Sequence, residues 1–188
     1  MGRLAKKAIV IPQGVKINLD GQTINISGAK GTLSLPWPVD LSVTCDGQQV
    51  MLGSNVSAER RRLFRKTEEK LGLYRKLILN MIAGITKEFE KILEIHGIGF
   101  KAEVKSKKLV LELGFTHPVE MEIPEGITVD VVKNTIIYVR GIDKQLVGNF
   151  AARVRAISPP ESYKGTGIRY RGEYVRQKVG KAAAGGTK

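Results

Sequence analysis

The chain has 188 residues, 42% of them hydrophobic, with 31 Lys and Arg against 18 Asp and Glu and a formal net charge of +13. That length suits one large domain or two small ones with packed cores, and the cation excess points to a polyanionic partner. The lone Cys45 excludes an intrachain disulfide, and with the separated His96 and His117 it makes no metal-ligand set, so no metal and no cofactor are expected. No apolar run approaches the ~18 residues of a membrane span. The basic start, residues 1–7, is followed only by Ala8-Ile9-Val10-Ile11 before Pro12, which is no signal-peptide core. A membrane-surface protein would show a basic amphipathic helix with aromatic anchors. The sole tryptophan, Trp37, instead sits between two prolines. A soluble intracellular protein with no membrane partner is expected.

In chain order, the first element is a hairpin. Asp20-Gly21 reads as its turn, with Ile17 facing Ile24 and Val15 facing Ile26. Leu35-Pro36 follows, then Val39, Leu41 and Val43 in the alternation of a half-buried strand. Asp46-Gly47 is a second hairpin signal, and its register sets Val43 against Val50 and Leu41 against Leu52. A helix then places Tyr74, Ile78, Ile82 and Ile85 along one face.

Beyond a boundary near residues 84–90 the chain repeats itself. Ile123-Pro124, Ile127, Val129 and Val131 follow the first set at a constant offset of 88, and the turn at Asn134-Thr135 keeps that offset from Asp46-Gly47. An earlier turn near Ser106-Lys107, offset by 86, pairs Val104 with Leu109 and Ala102 with Leu111. Glu120, Glu122 and Glu125 alternate with Met121 and Ile123 as the outer face of an edge strand, not as a catalytic pair. A closing helix carries Leu146, Phe150, Val154 and Ile157 and ends at Pro159-Pro160.

The two helices are offset by 72, so the first copy holds about 16 extra residues, roughly 53–69, containing Arg60, Arg61, Arg62, Arg65 and Lys66. Five cations in an insertion read as a functional addition; the plain alternative is a helix extended by a solvated basic face. The class is α+β, a tandem duplication of two similar domains, each with antiparallel strands and one α-helix. The expected division is 1–84 for the first, 85–178 for the second, and 179–188 for a flexible tail.

Charge is uneven. Residues 144–188 carry ten Lys and Arg against two Glu, residues 59–76 carry eight against three, and residues 77–143 carry eight against ten acidic groups. The densest chemistry is Glu161-Ser162-Tyr163-Lys164-Gly165-Thr166-Gly167-Ile168-Arg169-Tyr170-Arg171. Lys164, Arg169, Arg171, Arg176, Lys178 and Lys181 are candidates for phosphate contacts, which supply affinity but little sequence information. Gly165 and Gly167 are expected to let the backbone bend and approach a folded nucleic acid closely. The loop beyond Pro160 is expected to lie outside both cores, so that substituting Gly167 affects binding and not folding. Tyr163 and Tyr170 suit stacking on bases or bonding to ribose, or else one of them anchors the tail to its own domain. Arg153 and Arg155, near the end of the second helix, suit either RNA contact or the helix dipole.

His96-Gly97-Ile98-Gly99 lacks the spacing of a nucleotide-binding fingerprint and reads as a strand bend. A nuclease would need clustered carboxylates or a histidine acid–base pair, and a DNA-reading module would need a recognition helix. The acidic residues are scattered and the cations lie in an irregular C-terminal stretch, so neither class fits, and no enzyme is expected.

Six or more fragments in order resemble one known family. They include Ile11-Pro12-Gln13-Gly14-Val15, Gly28-Ala29-Lys30-Gly31-Thr32-Leu33, Asn80-Met81-Ile82-Ala83-Gly84, Gly97-Ile98-Gly99-Phe100-Lys101-Ala102, Gly114-Phe115-Thr116-His117-Pro118-Val119, Asp143-Lys144-Gln145, and the stretch from Tyr163 to Tyr170. The chain resembles the bacterial-type large-subunit ribosomal protein six family nearly end to end. The resemblance implies two small sheets and one helix around a single core in each half. It implies binding to large-subunit ribosomal RNA, chiefly through the second half, near the sarcin-ricin loop where translation factors act. It also implies neighbouring ribosomal proteins as partners, a cytoplasmic ribosome as location, and no catalytic role. A nucleic-acid-binding protein outside the ribosome is the alternative. Thr166 stands where the family usually has lysine, Ser162 where it often has proline, and Ser158 where it often has arginine.

Overall fold

The computed structural model describes residues 7–56 and 61–181, with backbone alone at 61–63 and 65. The described residues divide into two units, one running through Glu88 and taking in Ile142–Lys144, the other formed by Phe89–Gly141 and the residues from Gln145 onward.

The first unit contains strands β1 (Ile9–Val10), β2 (Lys16–Asp20), β3 (Thr23–Gly28), β4 (Gly31–Pro36), β5 (Leu41–Cys45) and β6 (Gln49–Ser54), then helix α1 (Arg61–Thr86). They make two antiparallel sheets, ordered β2-β3-β4 and β1-β6-β5. Period-two alternation drives Ile24 and Ile26 of β3 fully inside, and helical spacing brings Ile78, Ile82 and Ile85 of α1 onto the same core. Trp37 closes that core. Its indole Nε1 donates to the carbonyl of Leu41 at 2.9 Å, and its ring meets Tyr74 edge-on at 5.2 Å.

The second unit contains β7 (Phe89–His96), β8 (Lys101–Lys105), β9 (Lys108–Glu112), β10 (Val119–Glu122), β11 (Ile127–Val132), β12 (Ile136–Gly141), helix α2 (Lys144–Ile157) and β13 (Gly167–Tyr170). Its sheets are ordered β10-β9-β8 and β11-β12-β7-β13. Matching β1 to β7, β2 to β8 and so on through β6 to β12 reproduces the strand order of the first unit, so the duplication in the sequence is a duplication of topology. The difference is β13, which adds to the free side of β7; among the described residues β1 has no such neighbour. The core is Leu93, Ile95, Leu109, Leu111, Ile137 and Val139 from the sheets with Val147, Phe150, Ala151 and Val154 from α2. Phe150 is 2% exposed, and trimming such a side chain to alanine costs about 3–5 kcal/mol.

The hairpin at Ser106-Lys107 has the expected register, with Val104 opposite Leu109 and Ala102 opposite Leu111. Three others differ. In the first, Ile17 faces Ile26 and Leu19 faces Ile24, so Asp20 still pairs with Thr23 and the turn centres on Gly21-Gln22. In β5–β6, Val43 faces Leu52 and Cys45 faces Val50. There the bend centres on Gly47, where Gln48 N donates to the Asp46 carbonyl at 2.8 Å. In both, only the glycine takes positive φ (+57° and +72°), so Asp20 stays in the ladder and Asp46 stays just before the bend instead of forming half of the turn. The β11–β12 turn is Lys133-Asn134, both at positive φ, one residue earlier than expected. The two register shifts are of two residues, so the buried faces are preserved.

The insertion is largely helix, α1 having 26 residues against 14 in α2. Arg61 and Arg62 open α1, whereas Arg60 lies outside the described residues. So do 182–188 of the expected tail and Arg3-Leu4-Ala5-Lys6.

Candidate nucleic-acid interface

The signature stretch begins where α2 is stopped by Pro159 and Pro160. Residues 161–166 form a closed turn: Glu161 N donates to the Thr166 carbonyl at 2.8 Å, Gly165 N to the Glu161 carbonyl at 3.0 Å, and Thr166 Oγ1 to Glu161 Oε2 at 3.2 Å. The chain then enters β13, pairing Gly167 with His96, Ile168 with Ile95, Arg169 with Glu94 and Tyr170 with Leu93. It returns past Glu173, and Lys178 N donates to the Ser162 carbonyl at 2.8 Å, which ties residues 171–178 back over the turn.

The expectation that this stretch lies outside the core is therefore corrected. Ile168 is fully buried among the β7 and α2 side chains. Gly167 (φ +131°) lets the strand approach its own chain: a Cβ there would lie 2.7 Å from the Pro159 carbonyl oxygen and 2.8 Å from that of Ser158. Gly165 is likewise buried, with the Gln177 side chain 3.2 Å from where its Cβ would be. Gly167 serves internal packing, because β13 passes the carbonyls at the end of α2 with no room for a side chain, and Gly165 takes φ +70° within the closed turn.

The expected cations separate into two groups. Arg155, in the last turn of α2, grips Glu173 with both Nε and Nη2, the former at 3.0 Å, while Tyr170 N also donates to Glu173 at 3.0 Å. Arg171 Nε donates to Glu94 Oε1 at 2.9 Å across the sheet edge. Each arginine holds its partner carboxyl below the usual range, chiefly through the hydrogen bond. These two cations are largely neutralised within the fold. Tyr170 sits between Lys91, 5.6 Å from its ring centre, and Arg155, at 5.8 Å, and packs on the core. It is the tyrosine that anchors the stretch to its own domain. Tyr163 is 57% exposed.

Lys164, Arg169, Arg176, Lys178, Lys181 and Arg153 form the second group. Among the described residues none of them meets a carboxylate within 4.0 Å. Arg169 is half-buried on β13, and the others in the 160–181 stretch are exposed. Arg153 lies one turn back from the end of α2, beside Pro124, Leu146 and Asn149.

The sequence reading missed the carboxylates that sort these cations. Glu94 lies 77 residues from Arg171. It also missed the neighbouring arrangement on β12, where Arg140 reaches Glu90 at 2.7 Å and Asp130 at 2.8 Å and covers Tyr138 at 5.2 Å. Only the alternation of Glu90, Ile92 and Glu94 along β7 hinted that these groups share a face. His96 ends β7 with Nε2 at 3.6 Å from Glu94, and the glycine-flanked bend follows it as expected. Among the described residues no cluster of three or more His, Cys, Asp or Glu could hold a metal, and no helix is long and apolar enough to cross a membrane.

Comparison with known proteins agrees with the duplicated fold. The family model described as Ribosomal protein L6 matches residues 11–88 and again 96–171, one match for each unit of the fold. The chain is 45% identical over 189 residues to the large ribosomal subunit protein uL6 of Thermosynechococcus vestitus, covering 96% of this chain and 98% of that one. It is 44% identical to that of Carboxydothermus hydrogenoformans, covering all of both chains, and 46% identical to that of Crocosphaera subtropica over 97% of this chain and 98% of that one. With both repeats matched and the relatives aligned nearly end to end, the chain belongs to the ribosomal protein L6 family.

Proposed function

We propose that the chain binds large-subunit rRNA through the signature end of its second unit, near the sarcin-ricin loop and the region where translation factors act, in the cytoplasmic ribosome. As a member of its family it is a structural constituent of the large ribosomal subunit and not an enzyme. The observation that carries the proposal is the set of cations left without internal partners. Lys164, Arg176, Lys178 and Lys181 are exposed and meet no carboxylate within 4.0 Å among the described residues, around the hydrogen-bonded turn at 161–166; Arg153 on α2 is likewise without such a contact, and Arg169, whose charge also bears on Glu173, lies beside them on β13. Phosphates neutralised by such groups release counterions and supply affinity, while a rigid surface recognises the RNA by its folded shape.

Arg61 and Arg62 offer a second, weaker contact. They lie in α1 within the basic insertion, where five cations fall between positions 60 and 66. Neighbouring ribosomal proteins are expected as further partners.

Co-sedimentation with large ribosomal subunits in a low-magnesium gradient tests the assignment, and failure to co-sediment would overturn it. Chemical footprinting on bound large-subunit RNA tests the placement: the sarcin-ricin loop should be protected, and protection only elsewhere would refute that detail.

A further inference from the structure

Ile98 is the most exposed large apolar side chain of the described residues, at 103% relative exposure. It stands at the tip of the loop joining β7 to β8, between Gly97 (φ +156°) and Gly99 (φ +78°). The tip is braced from beneath by Phe100. A Cβ on Gly97 would lie 2.5 Å from the Phe100 ring, and one on Gly114 would lie 3.2 Å from the same ring. The ring thus fills the space left by two glycines on two loops and itself packs on the second core. Beside Gly114, Phe115 is 53% exposed. The fold therefore supports the loop bearing Ile98 and covers nothing of its side chain, although water disfavours exposed apolar surface.

The position of the tip identifies what covers it. His96 immediately precedes the loop and pairs with Gly167, so the tip adjoins the 161–166 turn that carries Lys164. Arg169 lies on the adjoining strand and exposed Lys101 begins β8. An apolar point beside Lys164 and Lys101, which meet no carboxylate within 4.0 Å among the described residues, matches a nucleic acid whose phosphates are held while a side chain meets the face of an unstacked base. A protein partner would have to bury those cations against carboxylates.

Resting on the RNA-binding reading above, we propose that Ile98, with Phe115 on the neighbouring loop, is an apolar wedge packing against unstacked bases of the bound RNA. It supplies discrimination for the folded RNA, whereas the cations supply affinity for phosphate.

The test is filter binding of the full chain and its Ile98→Ser and Ile98→Val variants to large-subunit RNA and to a random-sequence RNA duplex. Burial of an isoleucine side chain predicts that Ile98→Ser weakens binding to the folded RNA by about 10- to 100-fold. Its salt slope and its binding to the duplex should be unchanged. Ile98→Val, which keeps the branch and loses one methylene, should lose only a few-fold. Wild-type affinity for the folded RNA in Ile98→Ser, or equal loss on both RNAs, would overturn the wedge while leaving the RNA-binding reading intact. A wild-type chain that binds the folded RNA no better than the duplex would overturn that reading, and the wedge with it.

Discussion

Replacing Gly167 with alanine should destabilise the second unit instead of merely weakening its interface. At φ +131° a non-glycine residue is strained, at a cost of about 1–3 kcal/mol. The new Cβ would also press on two carbonyl oxygens at 2.7 and 2.8 Å, so β13 must move away from Ser158 and Pro159. That motion weakens the 2.7 Å bond from Ile168 N to the Ser158 carbonyl, about 1 kcal/mol, and lifts the fully buried Ile168 from the core. These contributions overlap, and a net loss of about 3–5 kcal/mol is expected. For a unit of roughly 100 residues, each kcal/mol lowers the melting midpoint by about 4–8 °C. The second transition should fall by about 15 °C or more. Gly172 provides the control: its φ is +79° but nothing lies within 4 Å of its Cβ position, so Gly172→Ala carries backbone strain alone, about 1–2 kcal/mol. Thermal melts followed by circular dichroism compare the two. A Gly167→Ala midpoint within a few degrees of wild type, or no lower than that of Gly172→Ala, would refute the packing argument.

Other consequences follow from the sorting of the cations and from the buried tryptophan. Lys164→Ala and Lys178→Ala should each reduce the salt slope of RNA binding by about one unit, whereas Arg155→Gln and Arg171→Gln should leave the slope near wild type and lower the melting midpoint; titrations from 50 to 200 mM salt separate the outcomes. Glu94 and Glu173 have folded pKa values below the ordinary glutamate value of about 4.3. Their contribution is present above that pH and is lost as pH falls through the lowered values. The second unit should therefore melt progressively lower below about pH 4, and Glu173→Gln should flatten that decline in a pH series of melts. Trp37, the sole tryptophan, is 8% exposed in the first core, so its emission should shift to the red only when the first unit unfolds; a shift that tracks the Gly167→Ala transition would contradict two separate cores.

The order of residues was enough to show the duplication, because period-two alternation and helical spacing are local and survive an insertion. Ile123-Pro124 with Ile127, Val129 and Val131 repeats Leu35-Pro36 with Val39, Leu41 and Val43 whatever lies between the copies. It also determined which residues could contact a phosphate, since charge is a property of the side chain alone. The tertiary structure decided which of those charges remain free. Arg171 is neutralised by Glu94 and Arg155 by Glu173, and no spacing rule connects positions 94 and 171, which meet only because β13 joins the edge of β7. The same pairing decided the glycines. Before Gly167 is set beneath the carbonyls of Ser158 and Pro159, it reads equally well as a place for an RNA to approach. Turn centres moved by a residue for a smaller reason: Gly21 and Gly47 alone could take positive φ, and that choice left Asp20 in the ladder and Asp46 before the bend. Local patterns thus specified the elements and their buried faces, while contacts between residues distant in the chain assigned each exposed group either to the fold or to a partner.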